Sequence, residues 1–220
     1  MSFDHAVGGT RDGARPRRLI VGITGSTGPI LGIRLLEALG PLGVETHLVL
    51  SEWAERTIRI ETSYTVAEVL DLASTHYDNR NQAAPISSGS FPVEGMIIIP
   101  CSMNTLAAVA HGIADNLIAR AADVTLKERR RLLIVPRETP LSTIHLRNML
   151  VLSEMGVSIV PPMPAFYNYP ETVDDVVRHI VARVLDQFGI DNDLTVRWGT
   201  TRRLHSDGPR PRSRPTTVAP

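Results

Sequence analysis

Cysteine is almost missing from this 220-residue chain, since Cys101 is the only one. An intrachain disulfide is excluded, and the composition suits a reducing cytoplasm. Net charge is missing too, with 23 Lys and Arg against 23 Asp and Glu. The balance is uneven along the chain. Residues 1–18 hold four Arg and two Asp, and residues 199–220 hold five Arg and one Asp. The body between them is therefore acidic, which argues against nucleic-acid binding. No apolar run reaches membrane-spanning length, and the opening MSFDHAVGGTRDGA has no apolar signal core. The seven His are scattered, and no two share ligand spacing with a third acidic or Cys residue, so no metal site is expected. There is no Gly-Lys-Ser/Thr P-loop and no complete G-x-G-x-x-G fingerprint. There is also no Asp-rich cluster of the kind that holds Mg²⁺ against a diphosphate. An anionic substrate would be neutralised by side-chain cations directly, which suits a monophosphate.

What is present is a regular alternation of apolar segments. Hydrophobic residues make up 43% of the chain, enough for a sizeable core. The runs at 19–23, 44–50, 96–100, 132–136 and 157–160 read as strands. Helical spacing covers 30–39, 52–60, 66–73, 106–112, 116–130, 143–155 and 173–188. MIIIP and LLIVP are continuous rather than alternating, as in strands covered on both faces. Strands alternating with helices predict an α/β fold: a three-layer, flavodoxin-like or Rossmann-like, doubly wound parallel sheet. One domain over 17–198 is expected, with disordered extensions at 1–16 and 199–220, both rich in Gly, Pro, Ser or Arg.

Ligands of such sheets bind beyond the C-terminal ends of the strands, so the residues following each strand matter most. These are Thr24-Gly25-Ser26-Thr27-Gly28, Ser51-Glu52-Trp53, Cys101-Ser102-Met103-Asn104-Thr105 and Arg137-Glu138-Thr139-Pro140. The Gly25–Gly28 loop suits a phosphate at a helix start, but a tight turn with a helix cap accounts for it equally well. Ser102 reads as an N-cap, and Cys101 reads better as an inert buried thiol than as a nucleophile. Arg120 and Lys127 are seven apart, on one face of one helix. Arg137 directly follows a buried strand at the ligand end of the sheet; a structural pair with Glu138 or Glu61 competes with a ligand role. Phe166-Tyr167-Asn168-Tyr169-Pro170 follows a Pro-rich run and reads as a rigid loop presenting aromatic rings, either to the core or to an apolar ligand.

Six blocks carry a resemblance: GITGSTGPILGIRLLE, SSGSF, GMIIIPCSMNTLA, NLIARAADVTLKERR, LLIVPRETPLSTIHLRNML and PPMPAFYNYPETVDD. Together they make the chain similar to the UbiX-type flavin prenyltransferases, including the small B subunits of bacterial phenolic acid decarboxylase systems. The likeness runs from about Arg17 to Trp198. It implies a flavodoxin-like fold assembled into dodecamers. It also implies transfer of a dimethylallyl group from dimethylallyl phosphate to N5 and C6 of reduced FMN, with no metal. The product, prenylated FMN, would serve a partner UbiD-type decarboxylase.

The resemblance also implies roles for particular residues. Lys127, Arg137, Tyr167 and Arg183 fall on the substrate-phosphate site, with Gly89 near both ligands. Glu138 falls on a proton-handling carboxylate, and Glu61 on a second acid near the reacting flavin edge. Gly25, Thr27, Ser51, Ser102, Met103, Thr105, Arg120 and Arg137 fall on FMN-binding positions. The chain departs from the family pattern at Ser26-Thr27, at Pro29-Ile30-Leu31 and at Asn104, which bears on flavin affinity and isoprenoid choice. Two alternatives compete: an FMN-dependent cysteine-type decarboxylase, for which no early catalytic His is found, and a non-catalytic flavin-binding partner subunit.

Overall fold

A computed structural model of the chain describes residues 16–199. The extensions expected at 1–16 and 199–220 lie outside those residues, except for Pro16 and Gly199. Six strands form one sheet: β1 (Arg18–Ile23), β2 (Glu45–Leu50), β3 (Thr75–Asp78), β4 (Gly95–Cys101), β5 (Arg131–Pro136) and β6 (Ser158–Ile159). All pairings are parallel, in the order β3-β2-β1-β4-β5-β6. Among the described residues seven α-helices cover it: α1 (Ile30–Leu39), α2 (Glu52–Glu61), α3 (Val66–Asp71), α4 (Met103–Ala110), α5 (Leu117–Lys127), α6 (Thr143–Glu154) and α7 (Val173–Gln187). The doubly wound α/β fold expected from the alternation is the one observed.

The continuous apolar strands sort their side chains into two cores, because successive residues of a strand point to opposite faces. Leu19, Val21 and Ile23 of β1, with Ile97, Ile99, Leu133 and Val135, pack under α1 and α7. Ile20, Met96, Ile98, Leu132 and Ile134 pack on the other face, under α4, α5 and α6. Both faces of β4 are thus covered, and all seven of its residues are buried. Each of its isoleucines contributes about 2 kcal/mol of apolar burial.

Beyond shifts at element ends, three differences from the sequence reading bear on the site. β3 was not expected; its residues, Thr-His-Tyr-Asp, alternate between half-buried and exposed at the sheet edge, so they carry no apolar run. The helix read as 106–112 starts earlier, at Met103, because the Ser102 side chain accepts a bond from the Thr105 N–H and caps it. The helix read through Arg130 ends at Lys127. Arg129 adopts φ 54°, and the Arg130 N–H turns back to the Thr125 carbonyl.

Candidate active site

β1 leads outward to β2 and β3, and β4 leads the opposite way to β5 and β6. The switch point therefore lies between β1 and β4, where such sheets open a crevice beyond the strand ends. A cleft of about 400 Å³ lies here, lined by Gly25, Ser51, Trp53, Ser102, Asn104, Thr105, Asn79, Asn116 and Ile118.

The loop after β1 is held in place by two side chains. The buried Thr24 hydroxyl donates to the Pro100 carbonyl at 3.0 Å and accepts from the Ser102 N–H at 2.7 Å, joining the two loops across the switch point. From α2, Glu61 accepts from the Thr27 hydroxyl at 2.9 Å and from the Gly28 N–H at 2.8 Å. A Cβ on Gly25 would collide with Cβ of Trp53, so only glycine lets the loop lie this close to α2. The hydroxyl oxygen of Ser26 is buried and has no hydrogen-bond partner. Ser51 and Ser102 cap α2 and α4; Ser102 also donates to the Thr105 hydroxyl at 3.1 Å. The capping reading of Ser102 therefore holds, and the same residue lines the cleft.

The residues flagged in the sequence fall into three places. Gly25, Thr27, Ser51, Ser102, Thr105 and Glu61 gather at the switch point, with Arg137 and Glu138 following β5, two strands from β1. The Arg137 N–H reaches the Cys101 carbonyl at 3.1 Å. Its exposed guanidinium has no hydrogen bond or ion pair to any described residue, so neither pairing with Glu138 nor with Glu61 forms. The Glu138 carboxylate accepts from the Thr139 N–H at 3.0 Å. Met103 starts α4 but packs against the core, and Arg120 is turned to Asp123 at 2.8 Å and to the Ser87 carbonyl at 3.3 Å.

The second place is the opposite end of the strands. Lys127 ends α5, just before β5 begins at Arg131 beside Gly95. It pairs with Glu128, and both side chains lie directly over Gly89, where any Cβ would meet them. Arg130 fixes that loop by donating to the Gly89 and Phe91 carbonyls at 2.7 and 2.8 Å. The Lys127–Glu128 bond holds the Glu128 carboxyl below its ordinary range.

The third place is α7. Tyr167 stands edge-on to His179 and Trp198, with ring centroids 5.6 and 5.3 Å away. Arg183 lies one turn beyond His179 on the same face and donates to Asp186 at 2.6 Å. Burial and the Arg183 charge lower the His179 pKa. The end of α7 reaches the start of β5, where Arg131 lies 5.5 Å from the Phe188 ring. Lys127 and Arg183 are thus near strand starts while Arg137 follows a strand end, roughly 20 Å away along a six-residue strand. One chain does not bring together the four residues expected at the phosphate site.

Trp53, Asn79 and Asn116 line the cleft but were not picked out as site residues in the sequence. Asn79 follows the unexpected β3; its carbonyl accepts from the Leu117 N–H at 2.7 Å and its side chain from the Ile118 N–H at 3.0 Å, tying β3 to α5. Once β3 is known, Asn79 is a strand-end polar residue like the others. Cys101 is fully buried, and desolvation pushes its thiol pKa up, so it is no nucleophile.

The profile of the family described as Flavoprotein matches residues 9–185. A probable UbiX-like flavin prenyltransferase of Escherichia coli is 62% identical over 182 residues, covering 82% of this chain and 92% of its own length. The chain belongs to the UbiX-like flavin prenyltransferases. Its relative in Bacillus subtilis (strain 168) is 56% identical over 86% of this chain and 92% of its own. Among solved structures of the family, AnUbiX (PadA1), in complex with FMN and dimethylallyl pyrophosphate, is 52% identical with a TM-score of 0.84, covering 86% of this chain and all of its own. A dodecameric FMN-dependent UbiX-like decarboxylase from Escherichia coli O157:H7 is 62% identical with a TM-score of 0.81, covering 82% of this chain and 98% of its own. This flavin prenyltransferase therefore has the family's flavodoxin-like fold and is an enzyme. Among the described residues no helix is long and apolar enough to cross a membrane, and no three His, Cys, Asp or Glu cluster as metal ligands.

Proposed function

We propose that this enzyme transfers the dimethylallyl group of dimethylallyl monophosphate to N5 and then C6 of reduced FMN, without a metal. The product, prenylated FMN, would pass to a UbiD-type decarboxylase. The observation that carries the reading is the polar cleft at the switch point, with the unpartnered guanidinium of Arg137 two strands from β1.

The site's features fit a flavin mononucleotide. Gly25 lets the loop lie against Trp53 where no Cβ would fit, and the buried Ser26 hydroxyl has no protein partner. Gly25, Thr27, Ser51, Ser102, Thr105 and Arg137 would hold FMN, with Met103 and Arg120 supporting the site from α4 and α5. The reduced flavin supplies the nucleophile when bound. The work of the chain is to hold both substrates together and to neutralise charge as phosphate departs with the electron pair of the allylic C–O bond. Lys127, Arg137, Tyr167 and Arg183, with Gly89 giving the phosphate room, do the latter; Glu138 moves the proton, and Glu61 sets the loop beside the flavin edge.

Because Lys127 and Arg183 sit far from Arg137 in one chain, the phosphate site is assembled between neighbouring copies. A homo-oligomer, dodecameric as in the E. coli O157:H7 relative, supplies those copies. The test is to mix the purified protein anaerobically with reduced FMN and dimethylallyl monophosphate, then weigh the released flavin. A gain of one dimethylallyl group is expected, and a parallel arm with the diphosphate defines the leaving group. Bound FMN of unchanged mass in both arms would sink the transferase reading.

A further inference from the structure

Arg183 is not alone on α7. The carboxylate of Asp186, one turn on, accepts from Arg183 Nη1 at 2.6 Å. The same carboxylate accepts two bonds from Arg197, at 2.9 and 2.8 Å, and a longer one from the Asn192 side chain at 3.3 Å. The Asp186 side chain is only 15% exposed, whereas those of Arg183 and Arg197 are 51% and 41% exposed. Two guanidiniums share one carboxylate.

The geometry has two consequences. Arg183 uses only Nη1 on Asp186, and its Nε and Nη2, the edge that grips two oxygens of a phosphate, meet no described residue. Arg197 precedes Trp198, whose ring stands edge-on to Tyr167. One carboxylate thus holds Arg183 and the residue beside the ring that packs on Tyr167. Burial alone would raise the Asp186 carboxyl, but Arg197, Arg183 and Asn192 together hold it below its ordinary value.

We infer that Asp186 is a positioning residue of the substrate-phosphate site, orienting Arg183 directly and Tyr167 through Arg197 and Trp198. This rests on the reading of Arg183 and Tyr167 as phosphate ligands. It goes further by naming the carboxylate that arranges them before substrate arrives.

The experiment compares Asp186→Ala, Asp186→Glu and Arg197→Ala with Arg183→Ala in the full-length assembled protein. Asp186→Ala raises KM for dimethylallyl monophosphate roughly tenfold, the scale of one charge-assisted contact, while kcat changes less. Asp186→Glu restores much of the loss, and Arg197→Ala moves KM in the same direction. FMN affinity, read by flavin fluorescence quenching, and oligomer size, read by sedimentation, stay at wild-type values in each variant. A KM that is unchanged or lower in Asp186→Ala, while Arg183→Ala raises it, overturns the inference and leaves the phosphate reading intact. Loss of FMN binding or of assembly alongside the KM change also overturns it, because the role is then only structural. An unchanged KM in Arg183→Ala sinks the phosphate reading itself.

Discussion

Replacing Thr24 by Val tests how the two loops at the switch point are joined. Valine keeps the shape of the side chain and removes only the hydroxyl. Two interactions go with it. The Pro100 carbonyl loses a 3.0 Å bond but keeps its 3.2 Å bond from the Thr24 N–H. The Ser102 N–H loses its only partner among the described residues, at 2.7 Å. An unpaired, partly buried N–H costs about 1–2 kcal/mol, and the lost hydroxyl bond about 1 kcal/mol, for a sum of about 2–3 kcal/mol. For a domain of this size that lowers Tm by roughly 4–12 °C. Ser102 also caps α4 and lines the cleft, so FMN affinity falls with stability. Thr24→Ser keeps the hydroxyl, loses a buried methyl at about 1 kcal/mol, and retains FMN binding. The assay is thermal unfolding with and without FMN, together with flavin fluorescence titration. A Thr24→Val protein as stable as Thr24→Ser, with wild-type FMN affinity, would refute the bridging argument.

Three further outcomes are expected. Gly25→Ala weakens FMN binding because its Cβ meets Cβ of Trp53; Trp53→Ala does not rescue it, since that Cβ remains, whereas Trp53→Gly does, and equal rescue by both would refute the contact. Arg137→Ala lowers the rate roughly a hundredfold or more, as for removal of one preorganised charge donor, and leaves Tm unchanged because the guanidinium makes no hydrogen bond or ion pair to any described residue. His47 is buried, which pushes its pKa below 6.5 against the opposing pull of Glu45. It is therefore neutral when folded, accepting from Tyr77 and donating to Glu45, each at 2.9 Å. Because the folded pKa is depressed, its contribution is present above 6.5 and is lost as pH falls through the folded value. His47→Gln keeps both bonds without titrating, so its Tm falls less than wild type between about pH 7.5 and pH 5.5. A parallel fall would show that His47 carries none of the dependence.

The parts of this protein legible in the sequence are those written in local pattern. MIIIP and LLIVP announce strands covered on both faces, and the alternation with helices settles the layer order. The polar strand ends at Gly25, Ser51 and Ser102 mark the cleft because a parallel sheet always opens there. β3 was not legible, because an edge strand with one solvated side needs no apolar run, and Asn79 was missed with it. The early start of α4 was missed although Ser102 was read as an N-cap, because Met103-Asn104-Thr105 carry no apolar period and the helical spacing shows only from Leu106.

Cys101 could be assigned as inert from sequence, and burial on both faces of β4 explains why. Arg137 was recognised as the strand-end cation; only the folded chain showed that neither Glu138 nor Glu61 pairs with it. The tertiary structure also decided where the other cations stand. Sequence spacing says nothing about which end of a sheet a helix terminus reaches. Helices α5 and α7 run back along the strands, so Lys127 and Arg183 are carried to the end opposite Arg137. Arg183 is set there by Asp186, and the loop that Thr24 and Glu61 brace is set at the other end. Local pattern determines the layers and the cleft; the direction of each returning helix determines which charges share a site.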